Sequence, residues 1–210
     1  MHFFSSKFKI GILGGGQLGK MLLFDSKRYD LHTKVMDPNK NAPCNNIADE
    51  FIVGNLNDYN DVINFGKLVD IITIEIENVN TDALEYLEKI GKKVYPPSKA
   101  IKIIQNKCEQ KAFYKSNNLP TSAFTNYFSL SDLKEDLKKE NLKFPFVWKS
   151  AKFGYDGKGQ EKLSDLNSAK KAWEKLATQD AILEQFVEFE KEISVTVSYT
   201  HLRAHETILD

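Results

Sequence analysis

The sequence predicts an α/β protein that begins with a doubly wound parallel sheet and continues into an incomplete α+β unit. An apolar run at residues 8–13 is typical of a buried strand, and the glycine-rich segment GGGQLG at 14–19 follows it directly. Short apolar runs then alternate with helical patterns as far as Tyr95. This alternation favours a parallel sheet with helices on its faces. The pair Pro96-Pro97 interrupts it and marks the predicted domain boundary.

Within the first part, the predicted strands after the glycine segment lie at 33–36, 51–53, 69–74 and 92–95. Helices are predicted at 58–65 and at 80–90, where Gly91 ends the second one. Glu75 and Glu77 alternate with isoleucines, so both carboxylates are expected on one face at the carboxyl end of a strand. Ligands of open α/β sheets bind at such ends. A solvated strand end is the alternative interpretation.

Beyond the boundary, one helix is predicted from its cap at Ser98 to about Ser116. Its apolar face would contain Ile101, Ile104, Cys108 and Ala112, which assigns Cys108 to packing. Lys107 and Lys111 lie four residues apart on a neighbouring face, where solvated lysines are the simplest interpretation.

Three more elements complete the second part. Ser129 and Asp132 resemble a capping box for a short helix with Leu133 on its apolar face. A helix at 165–178 would place Trp173 in a core. The run at 181–187 predicts a strand that Glu184 interrupts, and a charge there is costly unless it is paired or bound.

Composition excludes several functional classes. The 210 residues contain 29 basic and 29 acidic side chains, so no net charge favours nucleic acid or a membrane surface. No run of 18 apolar residues predicts a membrane span, and the first nine residues do not resemble a secretion signal. Cys44 and Cys108 form neither a disulfide framework nor a metal-binding spacing. A reducing cytoplasm is the expected location.

The first glycine segment supports two interpretations. Strand, glycine turn and helix provide the context in which G-x-G-x-x-G binds a dinucleotide, and Asp37 follows about 20 residues later. A nicotinamide-dependent oxidoreductase is therefore one hypothesis, and close helix–strand packing without a ligand is another. Pro38 after Asp37 favours a turn at this point over an exposed ribose contact.

A second glycine segment follows the apolar run at 146–148. The sequence FVWKSAKFGYDGKGQ at 146–160 predicts a strand containing Lys149 and then a loop rich in glycine. Glycines allow backbone N–H groups to surround an anion, and lysine adds a charge suited to phosphate. A D-G hairpin turn at Asp156-Gly157 is the alternative. The order of residues differs from that of a P-loop.

The motif GYDGKGQ, preceded by Lys149, resembles the flexible phosphate-covering loop of the ATP-grasp family. GGGQLG, Asp37-Pro38 and Thr73-Ile74-Glu75-Ile76-Glu77 are similar in particular to the 5-(carboxyamino)imidazole ribonucleotide synthetases. That resemblance implies a pre-ATP-grasp substrate domain at 1–95 and the first part of an ATP-grasp domain at 96–197. It implies ATP-dependent carboxylation of 5-aminoimidazole ribonucleotide with bicarbonate in purine biosynthesis. The implied cofactors are ATP and Mg²⁺, with the metal ligands beyond this chain.

The resemblance also implies roles for individual residues. The catalytic residues would be Lys149 and Tyr155. The ATP-binding residues would be Lys107, Lys149, Gly154, Tyr155, Asp156, Gly157, Lys158, Gly159, Gln160, Glu184, Gln185, Phe186, Val187 and Glu192. The ribonucleotide-binding residues would be Gly16, Gln17, Leu18 and Glu75, so the first loop would hold a phosphoribosyl substrate instead of a dinucleotide. The full-length parent would be a cytoplasmic homodimer.

The last residues do not continue this pattern. The resemblance ends near residue 197, and the segment 198–210 is expected to be a foreign tail on a truncated chain that is inactive alone. His201 and His205 share a helical spacing, but no third ligand is near enough in sequence to favour a metal site. Another ATP-grasp carboxylate–amine ligase and a non-catalytic nucleotide-binding fragment remain alternatives.

Overall fold

A computed structural model describes residues 7–127, 129–138, 144–152, 159–176 and 181–193. Its first unit contains the strands β1 (Lys9–Leu13), β2 (His32–Asp37), β3 (Glu50–Val53), β4 (Ile71–Ile74) and β5 (Lys93–Tyr95). The helices α1 (Gln17–Lys27), α2 (Tyr59–Lys67) and α3 (Thr81–Lys89) connect them. The strands form one parallel sheet in the order β3-β2-β1-β4-β5. The predicted doubly wound sheet is confirmed.

Side chains of the central strands point alternately to the two faces of the sheet, and a hydrophobic core lies on each face. Ile12 and Val35 pack with Leu23 of α1 on one face. Their neighbours Leu13 and Met36 pack on the other face in the core that α2 and α3 complete. Successive strand residues point to opposite faces, so each strand contributes to both layers. Strand order reverses between β1 and β4, and open sheets bind ligands at such a reversal.

The helix predicted from Ser98 to Ser116 is wrong as a single element. The structure has α4 (Ser98–Ile104) and α5 (Lys107–Ser116), separated by two residues. Asn106 is extended, with φ −127° and ψ 110°, and its side chain accepts a hydrogen bond from the Cys108 N–H. Asparagine competes for backbone donors in this way, which ends one helix and caps the next.

The break changes which side chains are buried. Ile101 of α4 is buried in the core of the first unit, whereas Ile104 is 45% exposed. Cys108 is buried as predicted, but Ala112 is exposed. The predicted apolar face was therefore wrong at Ile104 and Ala112, because the two helices do not share one axis.

The second unit contains β6 (Phe124–Tyr127), α6 (Leu130–Lys138), β7 (Phe146–Ser150), β8 (Gln160–Leu163), α7 (Leu166–Leu176) and β9 (Ala181–Gln185). Its antiparallel sheet has the order β6-β9-β7-β8. Tyr127, Trp148 and Leu163 lie in a core with residues of α6 and α7. The expected cap of α6 is present, because Asp132 N–H donates to Ser129 Oγ at 3.2 Å.

Among the described residues, only part of the opposite side of this sheet is covered. Cys108 of α5 packs there against Ala151 and Ile182. Beyond that contact, Val147 and Lys149 of β7 are half-buried. The predicted tail at 198–210, with His201 and His205, lies outside the described residues. The side chain of Trp173 is not described either. None of the helices in the described ranges is both long enough and apolar enough to span a bilayer.

Candidate functional site

The first glycine segment is fixed by contacts to the neighbouring strand. Gly14 has φ +102°, a conformation that glycine adopts without strain, and its N–H donates to Met36 O at 2.9 Å. The Gly15 N–H donates to Asp37 Oδ2 at 2.7 Å, and the Asn39 N–H donates to Asp37 Oδ1 at 2.7 Å. Both carboxylate oxygens of Asp37 therefore hold the loop and the turn. Asp37 is the last residue of β2, and its side chain stabilises the turn that leaves the strand, as expected.

Glu75 lies against this segment from β4. The strand ends at Ile74, one residue before Glu75, so the expectation that Glu75 and Glu77 share a strand face was wrong. The Glu75 N–H donates to Leu13 O at 2.8 Å, which places the residue beside the end of β1. A Cβ on Gly16 would lie 2.3 Å from Glu75 Oε1. The Glu75 carboxylate therefore occupies the space that a side chain at position 16 would need, and alanine there would displace it.

This carboxylate determines what the loop can bind. Glu75 lies near the N-terminus of α1, where the helix dipole favours negative charge. A dinucleotide fold reserves that position for a pyrophosphate, which the carboxylate would repel. A neutral group that donates hydrogen bonds, such as a ribose hydroxyl, fits better. Gln17 and Leu18 are exposed at the same end of α1, and Leu18 is 66% exposed.

Cys44 lies beneath the loop, which the sequence did not predict. Its Sγ is 3.6 Å from Gly16 O, and its N–H donates to Gly15 O at 3.0 Å. Burial, assisted by the nearby carboxylates of Glu75 and Asp37, raises the pKa of the thiol to about 11. The thiol therefore stays protonated and acts as a packing group.

The second candidate site is on the partly covered face of the antiparallel sheet. Phe146, Trp148 and Ser150 are buried, so alternation turns Lys149 to the opposite side. Strand β9 pairs with β7 in a register that places Val147 opposite Glu184. Lys149 Nζ lies 3.0 Å from Glu184 Oε1. Two residues that are 35 positions apart in sequence thus form an ion pair, which satisfies the charge that interrupted the apolar run.

Lys107 joins the same region from the start of α5. Its N–H donates to Ala151 O at 2.8 Å, which ties the helix to the end of β7. Burial lowers the pKa of the Lys107 ammonium, and the positive charge of Lys149 lowers it further. Two ammonium groups near each other favour a bound anion, because an anion compensates both charges.

Lys111 is a component of this site that sequence analysis missed. The expectation of a solvated lysine was wrong, because Lys111 is only 8% exposed. Its Nζ lies 3.1 Å from Glu184 Oε2 and donates to the hydroxyls of Thr121 and Ser122. The signal that could have revealed it is Glu184 itself, since a carboxylate in an apolar strand needs cationic partners.

Glu184 is held ionised by these contacts. Burial raises the pKa of its carboxyl, but hydrogen bonds from one hydroxyl and two ammonium groups outweigh burial and lower the pKa overall. The hydroxyl is that of Ser122, whose Oγ donates to Oε2 at 2.8 Å. Each carboxylate oxygen therefore faces a different lysine.

The residues after Glu184 leave the sheet. The Gln185 N–H donates to Ala123 O at 2.8 Å, and the Phe186 N–H donates to Pro145 O at 3.3 Å. Lys162 Nζ of β8 lies 3.7 Å from the centre of the Phe186 ring, a cation–π contact. Val187 and Glu192 are exposed beyond this point.

The glycine loop between β7 and β8 is described only at its end. Gly159 has φ +71°, and its carbonyl accepts a hydrogen bond from the Ser150 N–H at 2.8 Å. Gln160 begins β8 opposite Lys149. The other predicted loop residues, namely Gly154, Tyr155, Asp156, Gly157 and Lys158, lie outside the described residues.

A cleft of about 1190 Å³ lies beside Lys107. Its lining includes Glu77 after β4, Lys102 of α4, and Lys152 after β7. Gln105 fixes one wall, because its Nε2 donates to Glu77 O and Val79 O, both at 2.7 Å. The cleft therefore lies between the loop after β4, α4 and the start of α5, and it reaches Lys152 after β7.

Comparisons with known proteins agree with these two units. The ribonucleotide synthetase preATP-grasp domain family matches residues 7–105, and the ATP-grasp domain family matches residues 112–203. An N5-carboxyaminoimidazole ribonucleotide synthase of Staphylococcus epidermidis is 33% identical over 202 residues, which are 94% of this chain and 52% of that protein. A bifunctional purine synthesis protein purC/E of Dictyostelium discoideum is 36% identical over 193 residues, which are 90% of this chain and 19% of that protein.

A solved structure is similar across the same region. The N5-carboxyaminoimidazole synthase of Aspergillus clavatus, in complex with ADP and 5-aminoimidazole ribonucleotide, aligns with a TM-score of 0.77 and 29% identity. The alignment covers 87% of this chain and 47% of that one. The chain thus spans about half the length of the synthases that it matches.

Proposed function

The chain belongs to the N5-carboxyaminoimidazole ribonucleotide synthetase family of ATP-grasp ligases, and we propose that it contributes the ribonucleotide site and half of the ATP site of such an enzyme. The proposed reaction is the ATP-dependent carboxylation of 5-aminoimidazole ribonucleotide with bicarbonate in purine biosynthesis. The observation that carries the proposal is the ion pair of Lys149 with Glu184 on one sheet face, beside which the N–H of Lys107 is tied to Ala151 O at the end of β7.

The nucleotide would lie on this face, with its phosphates near the two lysines. When bound, ATP supplies the phosphoryl group that activates bicarbonate. Phosphoryl transfer is accelerated mainly by positioning and charge neutralisation, so preorganised ammonium groups are the contribution expected of Lys107 and Lys149. The loop at 154–160, which includes Tyr155, is proposed to cover the phosphates.

The adenine edge would be read after β9. The N–H groups of Gln185 and Phe186 already donate within the protein, so we assign the adenine-reading N–H to Val187. Glu192 follows five residues later and is exposed, which suits a carboxylate that accepts hydrogen bonds from ribose hydroxyls.

The ribonucleotide would bind at the carboxyl end of the parallel sheet. Gly16, Gln17 and Leu18 provide the exposed start of α1, and Glu75 provides a carboxylate acceptor beside it. The Aspergillus clavatus relative was solved with 5-aminoimidazole ribonucleotide and ADP together, which supports two adjoining substrates.

Magnesium is not assigned to residues of this chain. The part of the chain that the structure describes contains no group of three potential metal-ligating side chains. Relatedness alone supports three further parts of the proposal, namely bicarbonate as the carbon source, a cytoplasmic location and a homodimeric whole protein.

Calorimetric titration of the chain with ADP, ATP and NADH tests the ligand class. We expect saturable binding of ADP and ATP and none of NADH, because Asp37 is committed to the turn and Glu75 occupies the position of a pyrophosphate. Lys149→Ala should weaken ADP binding, whereas Lys115→Ala, an exposed position on α5, should not. Binding of NADH without binding of ADP would overturn the proposal.

A further inference from the structure

Lys111 has no hydrogen-bond donor left for a ligand. An ammonium group has three N–H donors. In Lys111 these face Thr121 Oγ1, Ser122 Oγ and Glu184 Oε2. The side chain is also largely buried, and its Nζ lies 5.8 Å from the centre of the Phe124 ring. Lys111 therefore acts on other protein groups and does not contact the nucleotide.

The charges of the three central groups do not cancel. Glu184 carries one negative charge and lies between two ammonium groups, Lys111 at Oε2 and Lys149 at Oε1. Two ammonium groups and one carboxylate give the group a formal net charge of about +1. Lys149 is the more accessible of the two, at 26% side-chain exposure against 10% for Lys111. The surplus positive charge is thus presented on the side that faces the proposed nucleotide.

We propose that Lys111 is a positioning residue of the nucleotide site, which holds Glu184 so that Lys149 remains available to a phosphate. Without Lys111, the Glu184 carboxylate would have Lys149 as its one lysine partner among these three groups. An ion pair of Glu184 with Lys149 would carry no net charge. The carboxylate would then compete with phosphate for the Lys149 ammonium. This inference rests on the proposed function for its ligand, but not for the geometry of the three groups.

The first test needs no nucleotide. The rate at which an amine-reactive reagent modifies Lys149 is measured by mass spectrometry in the whole 210-residue chain. In Lys111→Met we expect this rate to fall by about threefold, because the Coulomb attraction of Glu184 is then directed to one ammonium. Lys115→Met, on the exposed side of the same helix, serves as the control and should leave the rate unchanged. An unchanged rate in a folded Lys111→Met chain would overturn the proposal.

The second test separates phosphate contacts from adenine contacts. Affinities for ADP and adenosine are compared in the unmodified chain, Lys111→Met, Glu184→Gln and the double variant. Lys111→Met should lower the ADP-to-adenosine affinity ratio by about tenfold, equivalent to roughly 1.4 kcal/mol. In the Glu184→Gln background the same substitution should change this ratio by less than about twofold, because no carboxylate remains to capture Lys149.

The outcomes distinguish the two claims. If the unmodified chain binds neither ADP nor adenosine, the proposed function fails for this chain, and the modification rates still decide the role of Lys111. If Lys111→Met lowers only the melting temperature and leaves both the modification rate and the affinity ratio unchanged, Lys111 is merely structural. If the chain with Lys111→Met does not fold, Lys111→Gln, which removes the charge but keeps a hydrogen-bond donor, replaces it in both tests, and an unchanged Lys149 modification rate in that folded variant would overturn the proposal.

Discussion

Substitution of Gly16 by alanine tests the relation between the first glycine loop and Glu75. The three atoms nearest to a Cβ at this position all belong to Glu75, with Oε1 at 2.3 Å and Cδ at 2.9 Å. Carbon–oxygen contacts are normally about 3.3 Å or longer, so the carboxylate must move by about 1 Å. The backbone itself does not oppose alanine, because Gly16 has φ −75°.

The expected cost in stability is therefore small, whereas the expected cost in ligand binding is large. A flexible carboxylate can rotate away, so the free energy of unfolding should change by less than about 1 kcal/mol. A hydrogen bond to a charged group contributes about 1.5–3 kcal/mol. If Glu75 accepts a hydrogen bond from the ribonucleotide, its displacement should weaken binding by about tenfold or more.

The assay is calorimetric titration with 5-aminoimidazole ribonucleotide, together with thermal unfolding followed by circular dichroism. Glu75→Ala should weaken binding to a similar extent, and Gly16→Ala should have little further effect in that background because the clash is absent. Unaltered ribonucleotide binding in both single variants would refute the assignment of this loop to the substrate. A large loss of stability in Gly16→Ala would refute the explanation of why glycine is required.

Three further predictions concern catalysis, packing and pH. Lys149→Ala should lower ATP turnover by the whole enzyme by roughly 10²-fold, because it removes a preorganised charge from the phosphoryl site. The rate of phosphate release measures this turnover. Near-normal turnover would show that Lys149 is a surface residue without a role in the site. Gly66→Ala would place a Cβ 2.4 Å from Cδ1 of the fully buried Leu87. This overpacking should lower the free energy of unfolding by about 1–3 kcal/mol, which a lower melting temperature would show. An unchanged melting temperature would contradict this prediction. Burial raises the pKa of Asp49, but hydrogen bonds and the ion pair with Lys27 outweigh it and lower the pKa to about 2. Since this folded-state pKa is below the unfolded value of about 3.9, the stabilisation from Asp49 is present above that value and lost as the pH falls towards 2. Asp49→Asn should reduce the loss of unfolding free energy that is measured as the pH falls into the acid range. An unchanged loss would contradict the view that Asp49 contributes this stabilisation.

The role of Glu75 also explains why the glycine motif was ambiguous. Three glycines between a strand and a helix are compatible with a pyrophosphate or with close packing, because both need backbone that a Cβ would obstruct. Position 75 lies 59 residues after Gly16 in the sequence, and only the parallel pairing of β1 with β4 brings the two together. The charge beside the loop therefore comes from a residue outside the motif.

The sequence by itself determined the features that depend on short-range patterns. The strand, glycine turn and helix at the start of the chain follow from the local order of apolar and glycine residues, and the alternation up to Tyr95 specified a parallel sheet. The turn at Asp37 also follows from two adjacent residues, because proline restricts the residue before it. Lys149 and Glu184 each lie in a short apolar run, so both could be assigned to strands, and Glu184 could be singled out as a charge that needs a partner.

Only the tertiary structure decided which of these charges meet. The order β6-β9-β7-β8 sets β9 against β7, and this pairing places Glu184 beside Lys149. The break before α5 then turns Lys111 inwards to the other carboxylate oxygen, although its spacing from Lys107 had indicated a solvated lysine. Helical periodicity gives the relative directions of side chains on one helix but not which direction faces the protein. That choice depends on the surface against which the helix packs, and here the surface is a strand more than 60 residues further along the chain.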